Sequence, residues 1–360
     1  MLKRLHLRNF TVFEDADFEF ESGLNVIVGT NGTGKSHVLK MGYIKLHNLF
    51  SSTSSNGAVS PKHALGVSKE HSDHLNGIEK FERVFQISKL EELIRRDKTG
   101  ADTEINSTTV FLGDKFEESL VLPINSKYAL TYDSVPLVFP HKTANPVFIP
   151  AKEVLTTGWL LPLYDRREIP IDETYPDLLR LLMGPPLRHP ESIQIVAKLQ
   201  ELIGGKVEEE GGHFYLSATE QPRMEMNLVA EGFRKFATLY KLLANGTLTP
   251  ETTLFWDEPE ANLNPALLKE MAAVLAMLAR AGFQIILATH SLFLLKELHI
   301  LSRQEQLPIK YFGLSAENGG PTQVSTADTL TALPNLVALD VEMAQSDIFL
   351  DVLNQEDASI

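Results

Sequence analysis

The sequence predicts an α/β fold: a mainly parallel sheet with helices covering both faces. Three observations point there. Short, mostly apolar segments such as Leu24–Val28 and Thr253–Trp256 read as strands buried on both sides. Segments with apolar residues at helical spacing alternate with them. A glycine-rich turn, Gly29–Ser36, joins the first buried strand directly to a helix.

The elements follow in order. Leu2, Leu5, Leu7 and Phe10 sit among basic and polar residues and predict a strand, and Asp17–Phe20 alternates again. After the glycine-rich turn, Val38–Phe50 reads as a helix. Residues 51–77, rich in Ser, Asn, Gly and His, read as a mobile loop. From Phe81 to Val138 short strands are expected at Val84–Ile87, Thr108–Leu112, Ser119–Ile124 and Tyr128–Tyr132, with a helix at Leu90–Arg96. Asn145–Pro150 is a strand. Tyr175–Ile203 reads as helix broken at Gly184–Pro186, and Gly204–Ala218 as a hairpin.

Glu231–Ala244 has a strong helical period through Phe233, Phe236, Ala237, Tyr240, Leu242 and Leu243. A strand Thr253–Trp256, a helix Pro265–Ala281, a strand Phe283–Ala288 and a helix Ser291–Leu298 follow, then a strand at Ile309–Gly313. The last helix, Leu336–Leu353, carries Leu336, Leu339, Met343, Phe349, Leu350 and Leu353 between Asp340, Glu342, Asp347 and Asp351. Its apolar face either docks a partner or packs on the parent domain.

The organisation is therefore an α/β core over 1–50 and 145–315, with a β-rich insertion at 51–144. A helical lobe at 151–227 lies within the core, and 316–360 is a helical tail. With 47 acidic and 33 basic residues, the formal charge is −14. That balance disfavours broad, nonspecific neutralisation of nucleic-acid phosphates. The chain has no cysteine, which excludes disulfides and thiolate chemistry. It shows neither the h-region of a signal peptide nor an apolar run long enough for a membrane span, so a cytoplasmic location is expected.

Four motifs carry chemistry. Gly29-Thr-Asn31-Gly32-Thr33-Gly34-Lys35-Ser36 matches G-x4-G-K-[ST] at every fixed position. Glycines let successive backbone N–H groups point at phosphate oxygens, and the following helix presents its positive end to them. Lys35 is expected on the β- and γ-phosphates of ATP, and the Ser36 hydroxyl on Mg²⁺. Asp257 and Glu258 end a buried strand. The first is placed to serve the metal, the second to act as general base. His290 follows the apolar strand ending at Ala288, at the sheet edge where α/β folds hold ligands. Ala230-Glu231-Gly232 opens the strong helix, where backbone N–H groups would receive phosphate from a second subunit.

In this order the motifs resemble the ABC class of P-loop ATPases. The opening LRNFTVFEDADFEFESGLNVIVGTNGTGKS and the segment DEPEANLNP resemble its RecF, SMC and OLD branch. The resemblance implies an ATP- and Mg²⁺-dependent ATPase that forms a head-to-tail homodimer, or a higher homo-oligomer, around two ATPs. It makes Glu258 and His290 the catalytic base and γ-phosphate sensor, and Ser36 and Asp257 the metal residues. Ala230, Glu231 and Gly232 would complete the partner's site. Leu263 and Asn264 would fall in the loop that crosses the interface.

Three positions depart from the family's pattern. Ala230 stands where a serine is usual, and Asn264 where Asp or His is common. The glutamine-loop residue is Lys152, Glu153 or Gln86. The compact head, without long heptad arms, most resembles small stand-alone bacterial ATPases. Many of those belong to antiphage or toxin-like operons such as Gabija, Septu, PARIS and certain retrons, beside a Toprim or HNH nuclease. That implies an ATP-gated regulatory subunit with a separate nuclease effector. A RecF-like repair ATPase is the alternative, with Lys89, Arg95, Arg96, Lys98, Arg166, Arg167, Arg234 and Lys235 as candidate groove residues. A transporter subunit and a non-hydrolysing scaffold are the remaining readings.

Overall fold

The computed structural model describes residues 1–54, 79–88, 90–95, 103–111, 114–122, 129–132, 146–166, 169–218, 222–317, 319–334 and 337–357. Its centre is a six-stranded sheet in the order β14 (Gln323–Ala327), β13 (Ile309–Ser315), β3 (Leu24–Gly29), β12 (Gln284–Thr289), β11 (Thr253–Asp257) and β7 (Val147–Ile149). Every pairing is parallel except that of β13 with β14.

Alternate residues of these strands enter two separate cores. Leu24, Val26, Val28, Leu254, Trp256, Ile285 and Leu287 face one. Ile27, Phe255, Ile286 and Ala288 face the other. The first core is closed by α6 (Glu231–Ala244) and α7 (Pro265–Arg280), the second by α1 (Lys35–Ser54).

β1 (Leu2–Phe10) and β2 (Phe13–Glu19) form a hairpin. The expected strands of the insertion extend it: β4 (Thr103–Phe111), β5 (Asp114–Leu122) and β6 (Ala129–Tyr132) complete a five-stranded antiparallel sheet, β2-β1-β4-β5-β6. Buried Gln284 ties the two sheets together. It exchanges hydrogen bonds with the Leu2 backbone at 2.9 and 2.7 Å and accepts one from Thr253 Oγ1 at 2.8 Å.

The expected helical lobe contains α3 (Leu160–Asp165), α4 (Thr174–Leu182) and α5 (Ile193–Ile203), then a small sheet of β8 (Lys206–Glu210), β9 (His213–Ser217) and β10 (Met224–Glu225). Here Gly158 packs against the hairpin turn so closely that a Cβ would stand 1.8 Å from the Gly212 carbonyl oxygen. α8 (Leu292–Gln304) begins at Ser291, whose side chain caps it through Leu294 N.

Four expectations change. Val84–Ile87 is no strand: a helix, α2, runs over 79–85 and buries Phe81 and Val84. Four apolar-rich residues are too few to separate a period of 2 from one of 3.6. Leu90–Arg96 is no α-helix: Leu90–Leu93 make a single 3₁₀ turn, and Ile94 bridges back to Phe10. The loop expected over residues 51–77 does not start at 51, because α1 runs to Ser54; residues 55–77 lie outside the described residues. The last helix, α9 (Val337–Asp357), starts just beyond Leu336, which is outside the described residues. Its Val341, Ile348, Phe349, Leu350, Val352 and Leu353 are exposed, so these residues do not pack on the parent domain. Among the described residues no helix is long and apolar enough to cross a membrane.

Candidate nucleotide-binding site

β3, β12 and β11 are neighbours running in one direction, so their C-terminal ends meet. Thr289 pairs with Val28, and Asp257 with Ala288. This register brings together the phosphate loop, the acidic pair and the histidine, which are far apart in sequence.

The loop is shaped by two glycines in the left-handed region, Gly32 at φ 84° and Gly34 at φ 93°. Gly34 is doubly required: a Cβ there would meet Val12 and the Phe13 ring at 2.6 and 2.8 Å. Thr33 Oγ1 donates to the Thr30 carbonyl at 2.8 Å, and Asn31 and Gly32 are exposed at the tip. Lys35 folds into the loop and donates to the Gly29 and Thr30 carbonyls at 2.8 and 3.1 Å. Burial pulls its pKa down, while Glu258, Asp257 and Glu260 oppose that shift. Ser36 hydrogen-bonds the Asp257 carboxylate, whose pKa is raised chiefly by burial and held back by that bond.

Asp257 Oδ1 is buried with no hydrogen-bond partner. An acceptor in that state suits a metal ion or its water. Among the described residues no cluster of three or more His, Asp or Glu is built to hold a metal. The donor set therefore fits an ion that brings most of its oxygen ligands with it, as Mg²⁺ does on phosphates.

Glu258 turns the chain sharply, with φ 47°, a conformation rare for a side chain of its size. Its N–H donates to Ala288 O at 2.9 Å. His290 Nδ1 lies 3.3 Å from Glu258 Oε1 and 3.5 Å from Glu260 Oε1. Glu260 itself accepts from Thr289 Oγ1 at 2.7 Å and from the His290 N–H at 3.0 Å, which fixes the histidine's backbone.

The structure thus gathers Lys35, Ser36, Asp257, Glu258 and His290. Ala230, Glu231 and Gly232 open α6, and among the described residues no hydrogen bond joins them to the phosphate loop. Ala230 is the N-cap and has no side-chain cap bond, as the missing hydroxyl dictates. Asn264 has a local role: its side chain accepts from Leu267 N and caps α7, with Pro265 following. Of the glutamine-loop candidates, Glu153 is engaged by Thr156 and by Arg234 Nη1 at 3.1 Å, while Lys152 is exposed.

Two residues of the site carry no advance signal of a role. Glu260 reads as one more acid in an acidic turn, and Lys235 as a solvent-facing helix position. Lys235 is buried instead, beside Glu260, Glu258, Glu231 and Asp257, and desolvation lowers its pKa to about 8. With buried Arg95 and the ion-paired Arg234, it is one of three suggested groove residues turned inward. Lys89, Arg96, Lys98 and Arg167 lie outside the described residues or have undescribed side chains.

Comparison with known proteins agrees with the fold. The "SMC head domain from Thermotoga maritima" superposes with a TM-score of 0.51 at 12% identity, covering 91% of this chain and 99% of that one. An SmcHead bound to the C-winged helix domain of ScpA gives 0.53 at 14% identity, covering 92% and 98%. A "DNA double-strand break repair Rad50 ATPase" of Archaeoglobus fulgidus is 32% identical over 77 residues, 21% of this chain and 9% of that protein. A "DNA repair protein RecN" of Aquifex aeolicus is 58% identical over 36 residues, 10% and 7%. The chain thus spans less than a tenth of the length of these two relatives. The family model described as "AAA domain, putative AbiEii toxin, Type IV TA system" matches residues 24–296, most of the chain. The chain belongs to that family, and its fold is that of the SMC heads.

Proposed function

We propose that the chain binds and hydrolyses Mg²⁺-ATP and acts as an ATP-gated regulatory subunit, dimerising around nucleotide to control a separate nuclease effector in antiphage defence. The observation that carries the hydrolytic part is Glu258: a carboxylate 3.3 Å from His290 Nδ1, beside the Asp257–Ser36 pair. Gly29–Ser36 cradles the phosphates and Lys35 leaves its carbonyl partners to meet them. Ser36 and Asp257 hold Mg²⁺, which neutralises phosphate charge when bound. Glu258 takes the proton of the attacking water, and His290 hydrogen-bonds the γ-phosphate end. Ala230–Gly232 contributes backbone N–H groups to the partner's nucleotide.

Glu258→Gln tests this. The amide is nearly isosteric but is no base, so turnover should fall by about 10² or more while ATP affinity persists. Light scattering with ATP and Mg²⁺ should then show a trapped dimer. Wild-type turnover in this variant would remove Glu258 from the reaction.

The local matches to Rad50 and RecN favour a second reading, a DNA-repair ATPase. Salt-resistant duplex binding that depends on ATP would support it. The charge of −14 and the inward-turned Arg95, Arg234 and Lys235 support the effector-gating reading.

A further inference from the structure

Glu258 keeps its unusual backbone conformation between two fixed points. One is β12, through the N–H bond to Ala288. The other is α6: Lys235 Nζ donates to the Glu258 carbonyl at 2.8 Å. The lysine is only 5% exposed. Glu260, Glu258, Glu231 and Asp257 lie around its charge, and its bond to the Glu258 carbonyl ties α6, one turn in from Ala230–Gly232, to that loop.

A second link runs in parallel. Asn262 Nδ2 donates to Glu231 Oε1 at 2.7 Å. Gly232 sits so near the same turn that a Cβ would meet Leu267 and Leu263 at 2.9 and 3.1 Å. The first turn of α6 and the turn after β11 are therefore one mechanical unit within a single chain.

We propose that Lys235, seconded by the Asn262–Glu231 pair, is a positioning clamp: it sets the Glu258 backbone according to where α6 stands. The inference rests on the reading of Glu258 as base and Ala230–Gly232 as the face toward a partner's nucleotide. Under that reading, each chain touches the partner's nucleotide with the start of α6 and its own with Glu258. The clamp joins the two, so nucleotide held by one site adjusts the base of the other. Lys235 acts through the Glu258 carbonyl, as a positioning residue.

Lys235→Met keeps the alkyl stem and removes the donor. It should lower kcat at saturating ATP by about tenfold or more. ATP affinity of the nucleotide-free protein should stay within about twofold, because the phosphate loop is untouched. The Hill coefficient of turnover should fall from about 2 toward 1 as the sites uncouple. Lys235→Arg, which can still donate to the carbonyl, should restore most of kcat and the Hill coefficient.

Wild-type kcat in Lys235→Met overturns the proposal. So does a parallel loss of kcat and ATP affinity that Lys235→Arg does not rescue, since that pattern marks a merely structural lysine. Should Lys235→Met fail to fold, exposed Asn262→Ala decides the matter: an unchanged kcat and Hill coefficient there overturns the clamp. Glu258→Gln runs beside them. If it turns over like the wild type, the base assignment has failed. If it is inactive while Lys235→Met is wild type, the clamp alone has failed.

Discussion

Lys35 makes two bonds to the carbonyls of its own loop, at 2.8 and 3.1 Å. A ligand that recruits this amine must exchange both for phosphate contacts; in this structure the lysine braces the loop. Lys35→Ala should therefore abolish ATP binding and also loosen the loop; calorimetric titration checks the first and amide exchange the second. Next to it, His37 is largely buried against Phe10 and Phe85, with Nδ1 3.0 Å from Thr11 Oγ1. Burial, aided by Lys40, holds its pKa down at about 4 against 6.5 in the unfolded chain. The unfolded state then binds the extra proton first. Stability should be untouched above pH ~6.5 and fall as pH drops toward 4, by on the order of 3 kcal/mol in total. His37→Leu should remove that part of the slope in nucleotide-free unfolding curves measured across the window.

Among the elements, α9 stands out because Ile348, Phe349 and Leu350 are more than half exposed. These exposed residues add little to the core. A chain ending at Pro334 should melt within about 2 °C of the full chain and keep its basal ATPase, whereas loss of a packed helix would lower melting by about 4 °C or more. Gly158 predicts the opposite sensitivity. A methyl there meets a backbone carbonyl, which cannot swing aside, so Gly158→Ala should separate α3 from the β8–β9 hairpin and lower the melting temperature by several degrees. α6 is legible in the sequence over its whole length, because its period of apolar residues is long and uninterrupted. So are the strand ends that launch the phosphate loop, carry Asp257 and lead to His290, since buried strands running into Gly, Asp or His leave few alternatives. Lys235 is illegible: nothing local distinguishes a buried lysine from a solvated one, and only the fold places the Glu258 carbonyl above it. The pairing of β1 with β4 is equally hidden, because period-2 patterns fix a strand's faces but not a distant partner.

At the scale of the whole molecule, the central sheet is assembled out of sequence order. β3, the strand that launches the phosphate loop, lies between β12 and β13, which come from the last third of the chain. During synthesis the phosphate-loop motif thus emerges early, yet its first neighbour, β12, is complete only at Thr289 and its second, β13, only at Ser315. Both edges of β3 stay unpaired until β12 has emerged, and one edge until β13 has, a long-range wait of the kind that slows folding and exposes nascent chains to chaperones. Nucleotide cannot serve as an early folding template here, since its cradle closes only when the sheet does. A chain halted at residue 305 should bind no ATP, while one halted at Pro334 should bind it normally. Premature termination anywhere before β13 would therefore yield no partly active ATPase, only an incomplete sheet awaiting degradation.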